Sequence, residues 1–172
     1  MRHTISVLVE NQFGVLARVA GLFSGRGFNI ECLTVAETLD PQVSRLTLVT
    51  RGDDQVLAQV TQQLNKLINV IKVIDFIDTS HVQRELVLIK VKADRENRTE
   101  LSQIIEIFRG RIIDVSPESF LVEVTGAEEK IAALIELLVP LGIQEIARTG
   151  TVAMHRGMQM LKNVRDEEEK AI

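Results

Sequence analysis

Aromatic residues are scarce in this 172-residue chain: they make up 3% of it, and neither Trp nor Tyr occurs. Hydrophobic residues nevertheless account for 45% of the chain. Most of them are Val, Ile and Leu, so the core must be aliphatic, and β-branched side chains favour pleated sheets. The composition therefore predicts an α+β protein rather than a helical bundle, and the length allows one large domain or two small ones.

Cysteine, histidine and positive charge are scarce as well. The single cysteine, Cys32, excludes an internal disulfide framework. The three histidines, at positions 3, 81 and 155, lie far apart in the sequence, so we expect no metal site. The formal net charge of −4 argues against nucleic acid as a partner, because phosphate binding needs a basic surface.

Long apolar runs are absent too. No stretch approaches the roughly 20 apolar residues that a membrane-spanning helix needs. The sequence after residues 1–3 already reads as a strand, without the apolar stretch of a signal peptide. We therefore expect a cytoplasmic protein that makes no membrane contact.

The first half of the chain predicts the order strand, helix, strand, strand, helix, strand. Runs rich in β-branched residues indicate the strands, and apolar residues at a period of 3.6 indicate the helices. In the third of these strands polar and apolar residues alternate, which is typical of an antiparallel sheet. The predicted strands are 4–10, 30–37, 44–50 and 70–77, with one helix after Gly14 and another after Gly52.

The second half repeats this order. We predict strands at 85–92, 111–115, 120–125 and 143–148, and helices at 99–108 and 127–138, the latter ended by Pro140 and Gly142. The fold class is therefore α+β, with two ferredoxin-like βαββαβ units, each a sheet with two helices on one face. We expect domains at 4–78 and 84–157, a polar linker at 78–84 and a polar tail at 158–172.

No catalytic motif is present in the sequence. Nucleophilic catalysis needs a nucleophile beside a base, whereas Cys32 lies in the middle of a predicted strand, where packing explains it. The carboxylates of Asp53 and Asp54 fall at a helix start, where capping explains them. We therefore predict no catalytic residue on this chain.

The junction between the first strand and the first helix is the best candidate for a binding site. A helix N-terminus leaves backbone N–H groups unpaired, and these favour an anion such as an α-carboxylate. Gly14 would let a ligand approach the backbone closely, and Asn11 offers a donor and an acceptor. An ordinary turn between strand and helix would also explain both residues.

Asn29 favours the binding interpretation. It lies in the turn after the first helix and precedes Ile30, so in one unit it falls at the opposite end of that helix from Gly14. If two units pair edge to edge, Asn29 of one can face Gly14 of its neighbour. The resulting pocket would offer helix amides to a carboxylate, Asn side chains to an ammonium group, and Leu16 or Ile30 to an aliphatic side chain.

Several segments resemble the small subunits of acetolactate synthase. They are ISVLVEN (5–11), GVLARVAGLFS (14–24), RGFNIE (26–31), LTV (33–35), SRLT (44–47), HVQREL (81–86), IFRGRIIDV (107–115) and ARTG (147–150). The resemblance covers about the first 157 residues. It implies an N-terminal ACT domain that senses valine and dimerises, and a C-terminal ferredoxin-like domain that activates the catalytic large subunit.

The resemblance also implies the site and its partners. Asn11, Gly14, Val15 and Leu16 of one chain, with Asn29 and Ile30 of the other, would bind L-valine between two ACT domains. The large subunit would carry thiamine diphosphate, Mg²⁺ and FAD, with none of them on this chain, and would condense two pyruvates, or pyruvate with 2-oxobutyrate, in branched-chain amino acid biosynthesis.

Three other functions are compatible with this fold class. A free-standing regulator of another enzyme or of transcription would reuse an ACT domain, but the second half resembles the small subunit specifically. An RNA-binding domain of the RRM type would need exposed aromatic residues on its strands, and these are lacking. An independent enzyme is the least favoured of these interpretations.

Overall fold

The computed structural model describes residues 2–161, apart from the side chain of Asp54, so most of the predicted polar tail lies outside the described residues. The chain divides into two compact units: Gln83–Thr151 forms one, and the segments before and after it form the other. The two units have the α+β, ferredoxin-like βαββαβ order, which confirms the predicted fold class.

The first unit contains one sheet and two helices. Its elements are β1 (Arg2–Glu10), α1 (Val15–Ser24), β2 (Ile30–Glu37), β3 (Val43–Arg51), α2 (Asp54–Leu64) and β4 (Val70–Asp75). The strands are antiparallel in the order β2-β3-β1-β4, so β2 and β4 are the edges of the sheet. Ile5 pairs with Leu48 and Val7 with Leu46, and these side chains form the core with Val19, Phe23, Val60 and Leu64 from the helices.

The opposite face of this sheet is buried as well. Thr47 and Val49, on the face of β3 away from the helices, are 3% and 0% exposed, although the polar and apolar alternation of this strand is typical of a sheet with one solvated face. Part of the cover comes from the C-terminal segment of the same unit, because Arg45 donates a hydrogen bond to the carbonyl oxygen of Ala153. Sequence periodicity does not reveal a cover supplied by residues a hundred positions away.

The second unit repeats the arrangement. Its elements are β5 (His81–Lys92), α3 (Arg98–Ile107), β6 (Arg111–Val115), β7 (Ser119–Gly126), α4 (Glu128–Gly142) and β8 (Ile143–Arg148). The strand order is β6-β7-β5-β8. Val87, Ile89 and Val91 of β5 pack with Leu101 and Ile105 of α3 and with Ile131, Leu134 and Leu138 of α4.

Most predicted elements differ from the structure by one or two residues at their ends, and three differences are larger. The helix expected to end before Pro140 continues to Gly142, although Pro140 lacks a backbone N–H, and Leu141 beyond it packs on the core. Strand β5 begins at His81 instead of residue 85, so the linker is shorter than predicted. A short strand, β9 (Val152–His155), was not predicted; it pairs with β5, whose first two residues also belong to the first unit.

Candidate effector site

The loop between β1 and α1 is fixed by Asn11. Its backbone N–H donates to the carbonyl oxygen of Gln42 at 2.7 Å. Its side-chain Nδ2 donates to the carbonyl oxygen of Pro41 at 2.9 Å and to the carboxylate of Glu37 at 3.1 Å. Nδ2 makes both side-chain bonds. The other side-chain atom, Oδ1, has no hydrogen-bond partner among residues 2–161 and is available as an acceptor.

Gly14 is the N-cap residue of α1 and has a φ of +81°, which favours glycine. A Cβ added at Gly14 would meet no atom within 4 Å, so the space beside it is open among the described residues. Within that part of the chain no side chain caps α1, whereas Asp53 caps α2 by accepting from the backbone N–H of Val56 at 2.8 Å. The first-turn amides of α1 are therefore oriented to bind an anion.

Val15 and Leu16 follow Gly14 but have different surroundings. Val15 is 4% exposed and belongs to the core, and its backbone N–H donates to the carbonyl oxygen of Gln12 at 3.4 Å, so the amides that a ligand could use begin at Leu16. Leu16 is 45% exposed and presents an aliphatic surface next to Gly14. Phe13, immediately before Gly14, is fully exposed.

Asn29 and Ile30 lie at the other end of α1. Asn29 is exposed, and its carbonyl oxygen accepts a hydrogen bond of 2.7 Å from the hydroxyl of Thr50, which fixes the turn. Ile30 is half-buried and begins β2. The ten residues of α1 separate this pair from Gly14 by about 15 Å. One chain therefore brings Asn11, Gly14 and Leu16 together and leaves Asn29 and Ile30 apart from them.

Sequence reasoning missed Glu37, the carboxylate at the end of β2. It is exposed and accepts the hydrogen bond from Asn11, so Asn11 Oδ1 and Glu37 form a pair of acceptors for a cation such as an ammonium group. No local signal marks Glu37, because its position beside Asn11 results from the pairing of β2 with β3 and of β3 with β1.

The histidines and the cysteine do not contribute to this group. His3 is buried on β1, and a ring nitrogen lies 3.3 Å from the carbonyl oxygen of Gly52. His81 and His155 both pack against Phe76. Within residues 2–161, no cluster of His, Cys, Asp and Glu could hold a metal ion. Cys32 lies half-buried in β2.

Among the described residues, none of the helices has both the length and the apolar character needed to cross a bilayer.

Two family models match this chain. Residues 5–72 match the ACT domain of the acetohydroxyacid synthase (AHAS) small subunit, and residues 84–157 match the small subunit of acetolactate synthase. This chain belongs to the acetolactate synthase small-subunit family. Membership gives it a regulatory, small-subunit role, implies a catalytic large subunit as its partner, and implies that the cofactors of the reaction reside on that subunit.

Relatives of this family cover nearly the whole chain. A probable acetolactate synthase small subunit from Archaeoglobus fulgidus is 58% identical over 157 residues, which is 91% of this chain and 98% of that protein. The acetolactate synthase small subunit from Aquifex aeolicus is 51% identical over 170 residues, covering 98% of this chain and 86% of the relative. The crystal structure of the small subunit from Thermotoga maritima has a TM-score of 0.85 at 46% identity, covering 92% of this chain and 99% of that one.

Proposed function

We propose that this chain activates the catalytic large subunit of acetolactate synthase and inhibits it when L-valine binds between two ACT domains. The observation that carries the proposal is the group at the start of α1. An open, glycine-led helix N-terminus lies beside Asn11, whose Nδ2 donates to the carboxylate of Glu37 and whose Oδ1 has no partner among residues 2–161. An amino acid carries the matching charges, a carboxylate for the amides and an ammonium group for the acceptors.

The aliphatic side chain of valine requires an apolar wall. Leu16 supplies one from the same chain, and Ile30 of a second chain would supply another. A pocket of this kind discriminates modestly by size, because one methylene is worth about 1–3 kcal/mol. We therefore expect leucine and isoleucine to bind more weakly than valine, without being excluded.

The position of β2 explains how two chains would complete the site. It is an edge strand; Ile30 begins it, and Glu37 ends it beside Asn11. If β2 of two chains pairs antiparallel about a two-fold axis, the start of each strand lies opposite the end of the other. A register centred on Leu33 places Asn29 opposite the partner's Glu37. Both halves of the predicted pocket then meet, once at each end of the paired strands.

The corresponding helix start in the second unit carries negative charge instead, although no described side chain caps α3 either. Before α3, Asp94 accepts from the backbone N–H groups of Glu96 and Asn97 at 3.1 and 3.2 Å. Glu100 adds a negative charge to the first turn of α3. An incoming carboxylate would be repelled there, which supports a role for residues 84–157 in binding and activating the large subunit and for residues 4–78 in sensing.

Inhibition requires two conformations of the complex. The large subunit is more active when this chain holds it in one of them, and valine inhibits because it binds the other more tightly; equal affinity for both would change nothing. The large subunit performs the condensation with thiamine diphosphate, Mg²⁺ and FAD, in the cytoplasm, on the route to branched-chain amino acids.

Reconstitution of the purified large subunit with this chain tests the function directly. We expect the chain to raise acetolactate formation and L-valine to reverse that increase, while D-valine has no effect. Activation without valine inhibition would leave the chain an activator and contradict its role as a sensor. Absence of both effects would contradict the whole proposal.

Mixed dimers test the two-chain site. We expect Gly14→Asp and Asn29→Leu each to abolish valine binding when every chain carries the change. A dimer of one Gly14→Asp chain and one Asn29→Leu chain keeps an intact site, because the unchanged Gly14 faces the unchanged Asn29. Recovery of binding on mixing and refolding the two variants supports the interface site. A mixed dimer of wild type with a chain that carries both changes retains no intact site and is the control; both kinds of mixed dimer are purified away from their homodimers by a different affinity tag on each chain. Failure of the two single variants to complement each other contradicts a shared site.

A further inference from the structure

The chain returns to the first unit after it has completed the second. Residues 152–156, here called the return segment, belong to the same unit as β1–β4, whereas Gln83–Thr151 form the other unit. Thr149 is held within the second unit, because its backbone N–H donates to the carbonyl oxygen of Leu86 at 3.0 Å. Ala153, four residues later, contacts the first unit through Arg45. A connection of four residues spans at most about 14 Å.

Arg45 of β3 is a side-chain anchor of the return segment, whose strand β9 also pairs with β5. Its Nη2 donates to the carbonyl oxygen of Ala153 at 2.6 Å, and its Nε donates to the hydroxyl of Ser6 at 2.9 Å. The hydroxyl of Ser6 donates in turn to the carbonyl oxygen of Leu46, which orients it. Arg45 forms no ion pair with a carboxylate among the described residues, so neutral acceptors alone hold its charge. Ala153 is 5% exposed and packs closely at this point.

The end of the return segment is fixed by backbone and ring contacts. The backbone N–H of Arg156 donates to the carbonyl oxygen of Ser80 at 2.9 Å. The ring of His155 lies 4.9 Å from the ring of Phe76, which follows β4 and is 1% exposed. The return segment therefore contacts the sheet through β3 and through the residue that follows β4.

The anchor is close to the candidate effector site along the sheet. Arg45 pairs with Ala36, and the neighbouring residue of β2 is Glu37, which accepts the hydrogen bond from Asn11. The backbone N–H of Asn11 also bonds Gln42, three residues before Arg45. A ligand that moves Asn11 or Glu37 would therefore displace the part of β3 that holds Ala153.

We propose that the return segment is a strap that carries the state of the first sheet to the second unit, with Arg45 as the positioning residue that holds it. The strap itself depends only on the contacts within the first unit; its use in regulation rests on the proposed valine function. A coupling claim of this kind needs a measured effect, and the attachment of residues 152–156 is the element on which the two experiments below measure it.

Hydrogen exchange tests the strap without any ligand. In the full-length chain we expect Arg45→Gln to speed amide exchange in a fragment covering residues 152–156 by about tenfold, because the anchor is lost. Arg95→Gln removes the same charge from an exposed loop of the second unit and is the matched control, with no expected change in that fragment. Equal exchange in wild type and Arg45→Gln would overturn the proposal.

Inhibition of the reconstituted holoenzyme tests the coupling. We expect Arg45→Gln to keep large-subunit activation and valine binding within about threefold of wild type, but to require about tenfold more valine for inhibition or to lose inhibition. Unchanged inhibition would overturn the coupling role. If the wild-type holoenzyme is not inhibited by valine, the proposed function fails instead, while the exchange experiment still decides whether Arg45 holds the strap.

Discussion

The side chain of Asn11 donates a hydrogen bond of 3.1 Å to the carboxylate of Glu37, which joins the loop after β1 to the end of β2. This bond fixes a carboxylate beside the free Oδ1 of Asn11, at the start of α1. In the proposed complex these two acceptors bind the ammonium group of the amino acid, and the amides that follow Gly14 bind its carboxylate.

Replacing Glu37 tests the ammonium site. Glu37→Gln keeps an oxygen that can accept from Asn11 but removes the negative charge. We expect L-valine to bind about tenfold more weakly, because a hydrogen bond to a charged group is worth about 1.5–3 kcal/mol and solvent exposure reduces that value. Calorimetric titration measures the change. Glu96→Gln, at an exposed position in the second unit, is the control. An affinity within twofold of wild type would remove Glu37 from the site.

Cross-linking tests the paired β2 strands. In the register centred on Leu33, Cys32 of one chain lies opposite Thr34 of the other, on the face of the sheet away from the helices. We expect Thr34→Cys to form a disulfide-linked dimer with the native Cys32 under mild oxidation, because directly opposite residues have Cβ atoms about 4.5–5.5 Å apart. Val35→Cys projects to the other face and should not cross-link. Equal dimer formation in both variants on a non-reducing gel would contradict this register.

Two leucines of α4 test the core of the second unit. Leu134 is fully buried, whereas Leu137, one turn later, is 49% exposed. We expect Leu134→Ala to lower the free energy of unfolding by about 2–5 kcal/mol, because it leaves a cavity. Leu137→Ala should cost less than about 1 kcal/mol. Urea unfolding followed by circular dichroism measures both, and similar losses would contradict the assigned packing of α4.

We expect the carboxyl group of Asp94 to make the stability of the fold depend slightly on pH. The pKa of its carboxyl is lowered from the ordinary value of 3.8, first by a hydrogen bond from Lys92 and then by the backbone N–H of Asn97. A carboxyl whose pKa is lower in the folded state stabilises the fold above its unfolded pKa and loses that contribution as the pH falls through its folded pKa. The carboxylate is accessible to solvent, with 41% of its side chain exposed, so the effect is small.

We therefore expect Asp94→Asn to lower the thermal midpoint slightly at pH 7. The difference from wild type should disappear in strong acid, where the wild-type carboxyl is protonated as well. Asp114→Asn, at an exposed position of β6, controls for the loss of a charge. A difference from wild type that grows on acidification would contradict the assigned pKa direction.

The sequence predicted the order of the elements well, because most signals were local. Apolar residues at helical spacing, such as Val15, Val19 and Leu22, are buried as expected. Strands β2, β6 and β8 have the predicted bounds. Strand β9 was missed because four residues carry too little periodicity to distinguish a strand from a loop.

Only part of the candidate site could be predicted from the sequence. Gly14 and Asn11 stood out because their residue types suit a helix start, and the structure places them together. Glu37 and Arg45 owe their importance to strand pairing and to a segment distant in sequence, which no local pattern encodes. Asn29 and Ile30 meet the others only in a second chain, so the complete pocket remains a proposal.

The most direct test of the central claim is a calorimetric titration of the purified chain with L-valine, alongside isoleucine, leucine and D-valine. We predict saturable binding at about one site per chain, as a two-fold interface requires, with weaker binding of leucine and isoleucine and none of D-valine. Gly14→Asp should abolish it by placing a carboxylate at the anion site, while large-subunit activation persists. Gly157→Asp, at another exposed glycine of positive φ with open space beside it, should bind as wild type does. Equal binding by wild type and Gly14→Asp, or no binding by the wild-type chain either alone or with the large subunit, would contradict the account.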